Sequence, residues 1–374
     1  METFETIIIG AGSAGLACFA ALKHKGKQAL ILEKESNVGS RWRGHYERLH
    51  LHTDKKASSL PHHPMTSGYP KYPSRDQVVK YLEEYAEVHD AKISFNTEVV
   101  SGKRWAGRWH IATSNGKSYQ SDNLIVSTGR TNRPHSVTKP GIENFAGKNI
   151  HSCDYVNGRE FENQDVLVIG FGNSGCEIAV CLHEHGARPS MSVRSPVNVV
   201  PRDIFGIPAL SIGKLTAGLA PKVSDMINKP IINFLYGDIT KYGLRKLPYG
   251  PVEQINVHKR IPLLDIGTIE LIRKGFITIY PDIQHVGQNE IEFVDGRSSR
   301  FDAIIMATGY EHRVRDFIEI DDERIGQIEE PIRERESAGK DGLYLCGYYV
   351  SPRGMLNEAG KEALFIANHI AGSH

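Results

Sequence analysis

This chain is short of cysteine, of long apolar runs and of charge excess, and each shortage excludes a class of protein. Its 374 residues hold five cysteines, an odd number at scattered positions, and no two stand as Cys-x-x-Cys. That usage fits thiols in a reducing compartment and counts against a disulfide scaffold or a thioredoxin-reductase-type dithiol. No apolar run approaches the length of a membrane span. Lys and Arg total 45 against 44 Asp and Glu, so a net charge of +1 suggests neither a nucleic-acid partner nor a membrane surface. The sequence has no Gly-x-Ser-x-Gly elbow. The pairs His50/His52, His62/His63 and His183/His185 lack Cys or carboxylate partners that would complete a ligand set, so no metal is expected. Met1 leads almost directly into an apolar run, which leaves no room for a signal peptide, and a cytoplasmic protein is expected.

Glycine is where the sequence speaks. Two Gly-x-Gly-x-x-Gly fingerprints lie about 160 residues apart. Gly10-Ala11-Gly12-Ser13-Ala14-Gly15 follows Thr6–Ile9, and Glu33 ends the next apolar run, Ala29–Leu32. Gly170-Phe171-Gly172-Asn173-Ser174-Gly175 follows Val166–Ile169, and Arg194 ends Met191–Val193. In a dinucleotide-binding βαβ unit the first glycine makes the tight turn and the second lets the backbone approach a pyrophosphate. The third lets the helix pack on the strand, and the helix N-terminus faces the phosphates. A carboxylate after the second strand accepts hydrogen bonds from a free ribose diol, whereas an arginine there suits a 2′-phosphate. The first copy is therefore fit for FAD or NAD and the second for NADPH.

The rest of the pattern predicts one nucleotide domain interrupted by another. Residues 75–90 read as an amphipathic helix, because Val78, Val79, Leu82, Tyr85 and Ala86 recur at helical spacing. Short strands follow at Lys92–Phe95, Glu98–Val100, Trp109–Thr113 and Leu124–Ser127, with hairpin chemistry at Ser114-Asn115-Gly116-Lys117. Leu124–Gly129 and Ala303–Gly309 are internal echoes, each a strand ending in Thr-Gly. The late strand Gly342–Gly347 and a final helix from about Glu358 to Ile370 are expected to return and complete the first domain. The expected fold is α/β, with two Rossmann-like domains and the NADP domain inserted into a discontinuous FAD domain. Its boundaries are 1–155 with 301–374 for FAD, and 156–300 for NADP. The stretch 205–250, with four prolines, reads as a long excursion over the cofactor cleft. Cys176 and Cys181, five apart on a helix, point about 140° away from each other and are expected to be buried structural thiols.

Further strings resemble a known family. Phe145-Ala-Gly147-Lys-Asn-Ile-His151-Ser-Cys-Asp-Tyr155 spells the FxGxxxHxxxY motif of flavin-containing monooxygenases, and Met306-Ala-Thr-Gly-Tyr310 resembles their ATGY signature. Gly39-Ser-Arg41-Trp42 resembles the GxxW segment after the first βαβ unit. Arg48-Leu-His-Leu51, Tyr69–Pro73, Val200–Asp203 and Ile261–Gly267 are similar to the plant YUCCA-type enzymes and their bacterial relatives. His151 lies on a linker, so a structural hydrogen bond is expected of it. Many relatives place an Asn beside the flavin in the segment matching Leu49–Lys55. This chain has none there, and His52 or Thr53 falls closest.

The resemblance implies an FAD- and NADPH-dependent monooxygenase of the class B type. It implies that NADPH reduces the flavin, that dioxygen is co-substrate, and that a C4a-(hydro)peroxyflavin passes one oxygen atom to a small organic molecule. A sulfide, amine, ketone or aryl-pyruvate fits that role. The cofactor carries the chemistry and the protein binds, orients and excludes water. His52 and Thr53 are the expected catalytic residues. The expected cofactor-binding residues are Gly10, Gly12, Ser13, Ala14, Gly15, Glu33, Lys34, Arg41, Trp42, His50, Val99, Thr128 and Gly129. They continue with Gly170, Gly172, Asn173, Ser174, Gly175, Arg194, Ser195, Arg202, Ala307, Thr308, Gly309 and Tyr310. The alternative is an NADPH-dependent flavoprotein reductase passing electrons to a quinone or protein acceptor. A small-molecule substrate and a homodimer are the expected partners, with no nucleic acid and no membrane.

Overall fold

Short runs of consecutive buried apolar residues become the parallel centres of two sheets, because strands covered on both faces need not alternate. The computed structural model describes residues 1–131, 133–204, 206–209, 218–258, 260–320, 340–349, 351 and 354–372. The contacts divide the chain into two compact units. One holds residues 1–44, 53–133 and 310–374; the other holds 45–52 and 134–309.

The first unit opens with β1 (Glu2–Ile9), α1 (Ser13–His24) and β2 (Ala29–Leu32). Then come α2 (Arg75–Val88), β3 (Ile93–Ser94) and a meander of β4 (Val99–Trp105), β5 (Arg108–Thr113) and β6 (Ser118–Val126). Helix α2 starts where a capping box forms: the Ser74 hydroxyl accepts from Gln77 N–H, and the Gln77 side chain accepts from Ser74 N–H. The strand order is β3-β2-β1-β6-β5-β4, with β1, β2, β3 and β6 parallel and the β4–β5–β6 meander antiparallel.

The second unit contains β7 (Lys148–His151), β8 (Asp165–Ile169), α3 (Asn173–Glu184) and β9 (Arg188–Ser192). Helix α4 (Pro221–Tyr236), β10 (Thr278–Tyr280) and β11 (Ala303–Met306) follow. Its five strands run β10-β9-β8-β11-β7, all parallel. The chain then returns to the first unit as β12 (Leu343–Leu345), parallel to the Leu124–Val126 half of β6, and α5 (Met355–Ile370), which packs along α1. The late strand and helix thus complete the first sheet, with the second unit inserted.

Three details differ from the sequence expectation. The units divide at 133/134 and 309/310, because β7 pairs with β11 and carries the FxGxxxHxxxY segment into the second sheet. Residues 45–52 join the second unit: Tyr46 is buried in its core, Glu47 N–H donates to the Val156 carbonyl at 2.9 Å, and Arg48 grips Glu184 with two bonds of 2.8 and 2.9 Å. The described part of 205–250 contains a 16-residue helix, an element that the reading of this stretch as a long excursion does not place. Pro221 sits in its first turn, where no N–H is needed, and Pro230 is accommodated inside it. Residues 205 and 210–217 of that stretch lie outside the described residues.

Candidate functional site

The two fingerprints build the same cradle twice. Gly10 and Gly170 take φ of 101° and 118°, values that favour glycine, and their N–H groups donate to Leu32 and Ser192 carbonyls at 2.8 and 3.0 Å. The Thr-Gly strands close behind them, with Ser127 N–H on the Ile9 carbonyl and Ala307 N–H on the Ile169 carbonyl, both at 2.9 Å. A Cβ on Gly15 would stand 1.9 Å from the Gly10 carbonyl oxygen, and one on Gly175 2.7 Å from that of Gly170. Around Gly12 and Gly172, in contrast, no atom of the described residues beyond their chain neighbours and the local helix backbone lies within 4 Å of a Cβ position. Neither α1 nor α3 has a side-chain cap on its N-terminus. Each cradle therefore combines open space at the middle glycine with uncapped helix N–H groups, the arrangement that receives a pyrophosphate.

What surrounds the cradles differs. In the first unit Glu33 is buried, and its carboxylate accepts from Ala11 N–H at 2.6 Å and Glu35 N–H at 3.0 Å. Lys34 is exposed and faces Glu35 at 3.8 Å. Ser13 is half-buried, and Ala14 is buried, leaving no room for a Cβ on Gly347. Arg41 and Trp42 lie in the short turn Ser40–Arg43, with the Arg41 guanidinium 5.5 Å from the Tyr310 ring centroid. Val99 is buried opposite Thr113. The Thr128 hydroxyl bonds the Tyr348 phenol at 2.7 Å, and burial pushes that phenol's pKa above its ordinary value, so it stays protonated. Thr53 Oγ1 lies 2.6 Å from Ser58 Oγ.

In the second unit Asn173 spends its side-chain oxygen on Leu264 N–H at 2.9 Å, which fixes the start of α3. Ser174 is half-buried beside it. Arg194 and Ser195 are exposed after β9, and the Arg194 carbonyl accepts from Arg245. Arg202 is ion-paired with Asp203 at 3.3 Å. His50 is exposed, its Nδ1 2.8 Å from the Arg48 carbonyl. His52 Nε2 meets the buried Glu177 carboxylate at 2.6 Å. His151 accepts from Cys153 N–H at Nδ1 and donates from Nε2 to the Gly309 carbonyl, each at 3.2 Å, a pairing that sets its tautomer. The Thr308 hydroxyl donates to the His135 carbonyl. Cys176 and Cys181 are both buried, and burial raises the Cys176 thiol well above its ordinary range.

Neighbours in sequence are thus separated. His52 belongs to the second unit and Thr53 to the first, and Ala307–Gly309 stay with the second unit while Tyr310 joins the first. Two residues escaped sequence reasoning. Glu177 is a carboxylate on an otherwise apolar face of α3, and only the fold supplies its neighbour, His52. Arg130 follows Thr128-Gly129 directly, but only the fold supplies its neighbour, the Tyr348 carbonyl at 2.8 Å.

A family model for pyridine nucleotide-disulphide oxidoreductases matches residues 7–202. The chain is 37% identical over 374 residues to a probable indole-3-pyruvate monooxygenase, YUCCA1 of Arabidopsis thaliana, covering 97% of this chain and 89% of that protein. It is 35% identical over 373 residues to indole-3-pyruvate monooxygenase YUCCA1 of Oryza sativa subsp. japonica, covering 97% and 90%. Among solved structures, a flavin-containing monooxygenase from Stenotrophomonas maltophilia shares the fold with a TM-score of 0.71 at 19% identity, over 100% of this chain and 99% of that one.

Proposed function

The chain belongs to the pyridine nucleotide-disulphide oxidoreductase family and, within it, to the YUCCA-like class B flavin monooxygenases, and on that premise we propose an NADPH-dependent enzyme working by the C4a-(hydro)peroxyflavin route. It is an oxidoreductase that uses flavin and NADP(H). In the proposed reaction one atom of dioxygen passes to a small organic substrate: a sulfide, an amine, a ketone or an aryl-pyruvate. The names of the two plant relatives support the last of these.

The observation that carries the reading is the doubled cradle with a carboxylate beyond one copy and an arginine beyond the other. When bound, the flavin supplies the oxygen-transfer chemistry, and the chain's own residues hold and orient. Helix α1 and the open space at Gly12 take the FAD pyrophosphate, with Glu33 beside the loop for the ribose. Helix α3 and Gly172 take the NADPH pyrophosphate, with the exposed Arg194 free to reach a 2′-phosphate. His52, steadied by Glu177, and Thr53 are the proposed polar groups for the reaction. A cytoplasmic location is proposed with this reading; no described helix is long and apolar enough to cross a membrane.

Stopped-flow absorbance of NADPH-reduced protein mixed with oxygen tests the route. A transient C4a adduct that decays with formation of oxygenated product is expected. Immediate return to oxidised flavin without product favours a reductase and overturns the proposal.

A further inference from the structure

Arg130 stands at the carboxyl end of β6, just past Thr128-Gly129, and has no part in the cradles. Its Nη1 donates to the Tyr348 carbonyl at 2.8 Å. Tyr348 lies just beyond β12, which pairs in parallel with the end of β6, Leu345 against Val126. The two strands end side by side, and Arg130 is tied across their ends. On the other edge of β6 runs β1, whose end is the first fingerprint. In an open α/β sheet the rim beyond the carboxyl ends of the strands is where ligands bind.

The surroundings of this guanidinium supply it with no anion among the described residues. It is half-buried, and burial alone acts on it, lowering its pKa from the ordinary value. Two other half-buried arginines have an anion, Arg48 on Glu184 and Arg202 on Asp203, whereas Arg41 lies over the Tyr310 ring. Arg130 has one neutral carbonyl, and no carboxylate pairs with it among the described residues. A partly desolvated cation without a counter-ion is unfavourable, and its planar fork of donors matches a carboxylate or a phosphate.

We propose that Arg130 anchors an anionic oxygen group of the ligand at this rim, namely the carboxylate of a small organic acid substrate. This deepens the monooxygenase reading and rests on it for the word substrate. A phosphate oxygen of a bound dinucleotide offers the same chemistry, and the experiment separates the two sources.

Phenylpyruvate is titrated into the flavin-loaded protein without NADPH, following the bound-flavin absorbance, for the wild type, Arg130→Ala and Arg130→Lys. Flavin per chain, NADPH affinity and oxygenation of thioanisole, a neutral sulfide, are measured alongside. The expected result is about a tenfold or greater loss of phenylpyruvate affinity in R130A, partly recovered in R130K, as for removal of a charge-assisted bond. Flavin content and thioanisole turnover stay within about twofold of wild type, since neither needs an anion anchor. Unchanged phenylpyruvate affinity in R130A overturns the proposal, as does loss of flavin or of NADPH affinity in its place, which assigns Arg130 to a cofactor phosphate. A wild-type protein that oxygenates thioanisole but does not bind phenylpyruvate also overturns it while leaving the monooxygenase reading intact. Arg130-dependent phenylpyruvate binding in a protein that oxygenates nothing supports the anchor and overturns that reading.

Discussion

Glu33 stands one residue past the end of its second strand and Arg194 two past the end of its own; one is buried against its own glycine loop and the other is exposed. Charge-assisted bonds from Arg194 to a 2′-phosphate predict that Arg194→Ala lowers the NADPH-over-NADH preference by about tenfold or more in kcat/KM. Equal loss for both cofactors would remove that role. The glycines separate in the same way. Gly15→Ala drives a Cβ into the Gly10 carbonyl, so flavin-free protein is expected to melt at lower temperature or fail to fold. Gly12→Ala meets no atom of the described residues beyond its chain neighbours and is expected to keep the flavin-free melting temperature while losing flavin retention. Such positions are legible in sequence because the constraint is local. Glu177 and Arg130 are not, because the partners that define them lie 125 and 218 positions away.

Among the elements, the ends of α1 and α2 meet around four histidines. His24 stacks on His62 with centroids 3.7 Å apart, and His89, after the last turn of α2, lies 5.6 Å from His24 and 6.5 Å from His63. Burial first, then the neighbouring His24, His62 and His63, pushes His89 down to about 4. Its folded pKa therefore lies below the unfolded value near 6.5, and the stability tied to the neutral ring is present above pH 6.5 and lost as pH falls toward about 4. Thermal midpoints are expected to drop between pH 7 and 5, with a shallower slope in His89→Gln; parallel slopes would exclude the cluster as the cause. Periodicity finds α2 because its apolar face is buried. It misses α4, because prolines read as breakers and its face includes exposed Met226 and Phe234, 67% and 81% accessible.

The whole molecule depends on its chain ends meeting. Strand β12 covers the end of β6, and α5 brings Leu356, Ala359, Ala363 and Ile366 into the buried side of the first unit. Burying a Leu or Ile contributes roughly 1.5–3 kcal/mol, so losing several is comparable to a domain's total stability of about 5–15 kcal/mol. Deleting residues 340–374 is therefore expected to yield insoluble or flavin-free protein; normal flavin content at 450 nm would show that the first unit stands without its return.

The sequence by itself determined the two cradles, their different charges and the discontinuous order of the sheets. Glycine turns, apolar runs and the residue after each second strand are local, so composition and spacing suffice to specify them. Only the tertiary structure decided where the chain changes unit, at 44/45, 52/53, 133/134 and 309/310, and so which unit each candidate residue serves. It also decided which polar groups have partners. His52 is steadied by Glu177, whereas among the described residues the Arg130 guanidinium holds a single carbonyl, and such pairings depend on burial and long-range strand order rather than on neighbours in sequence.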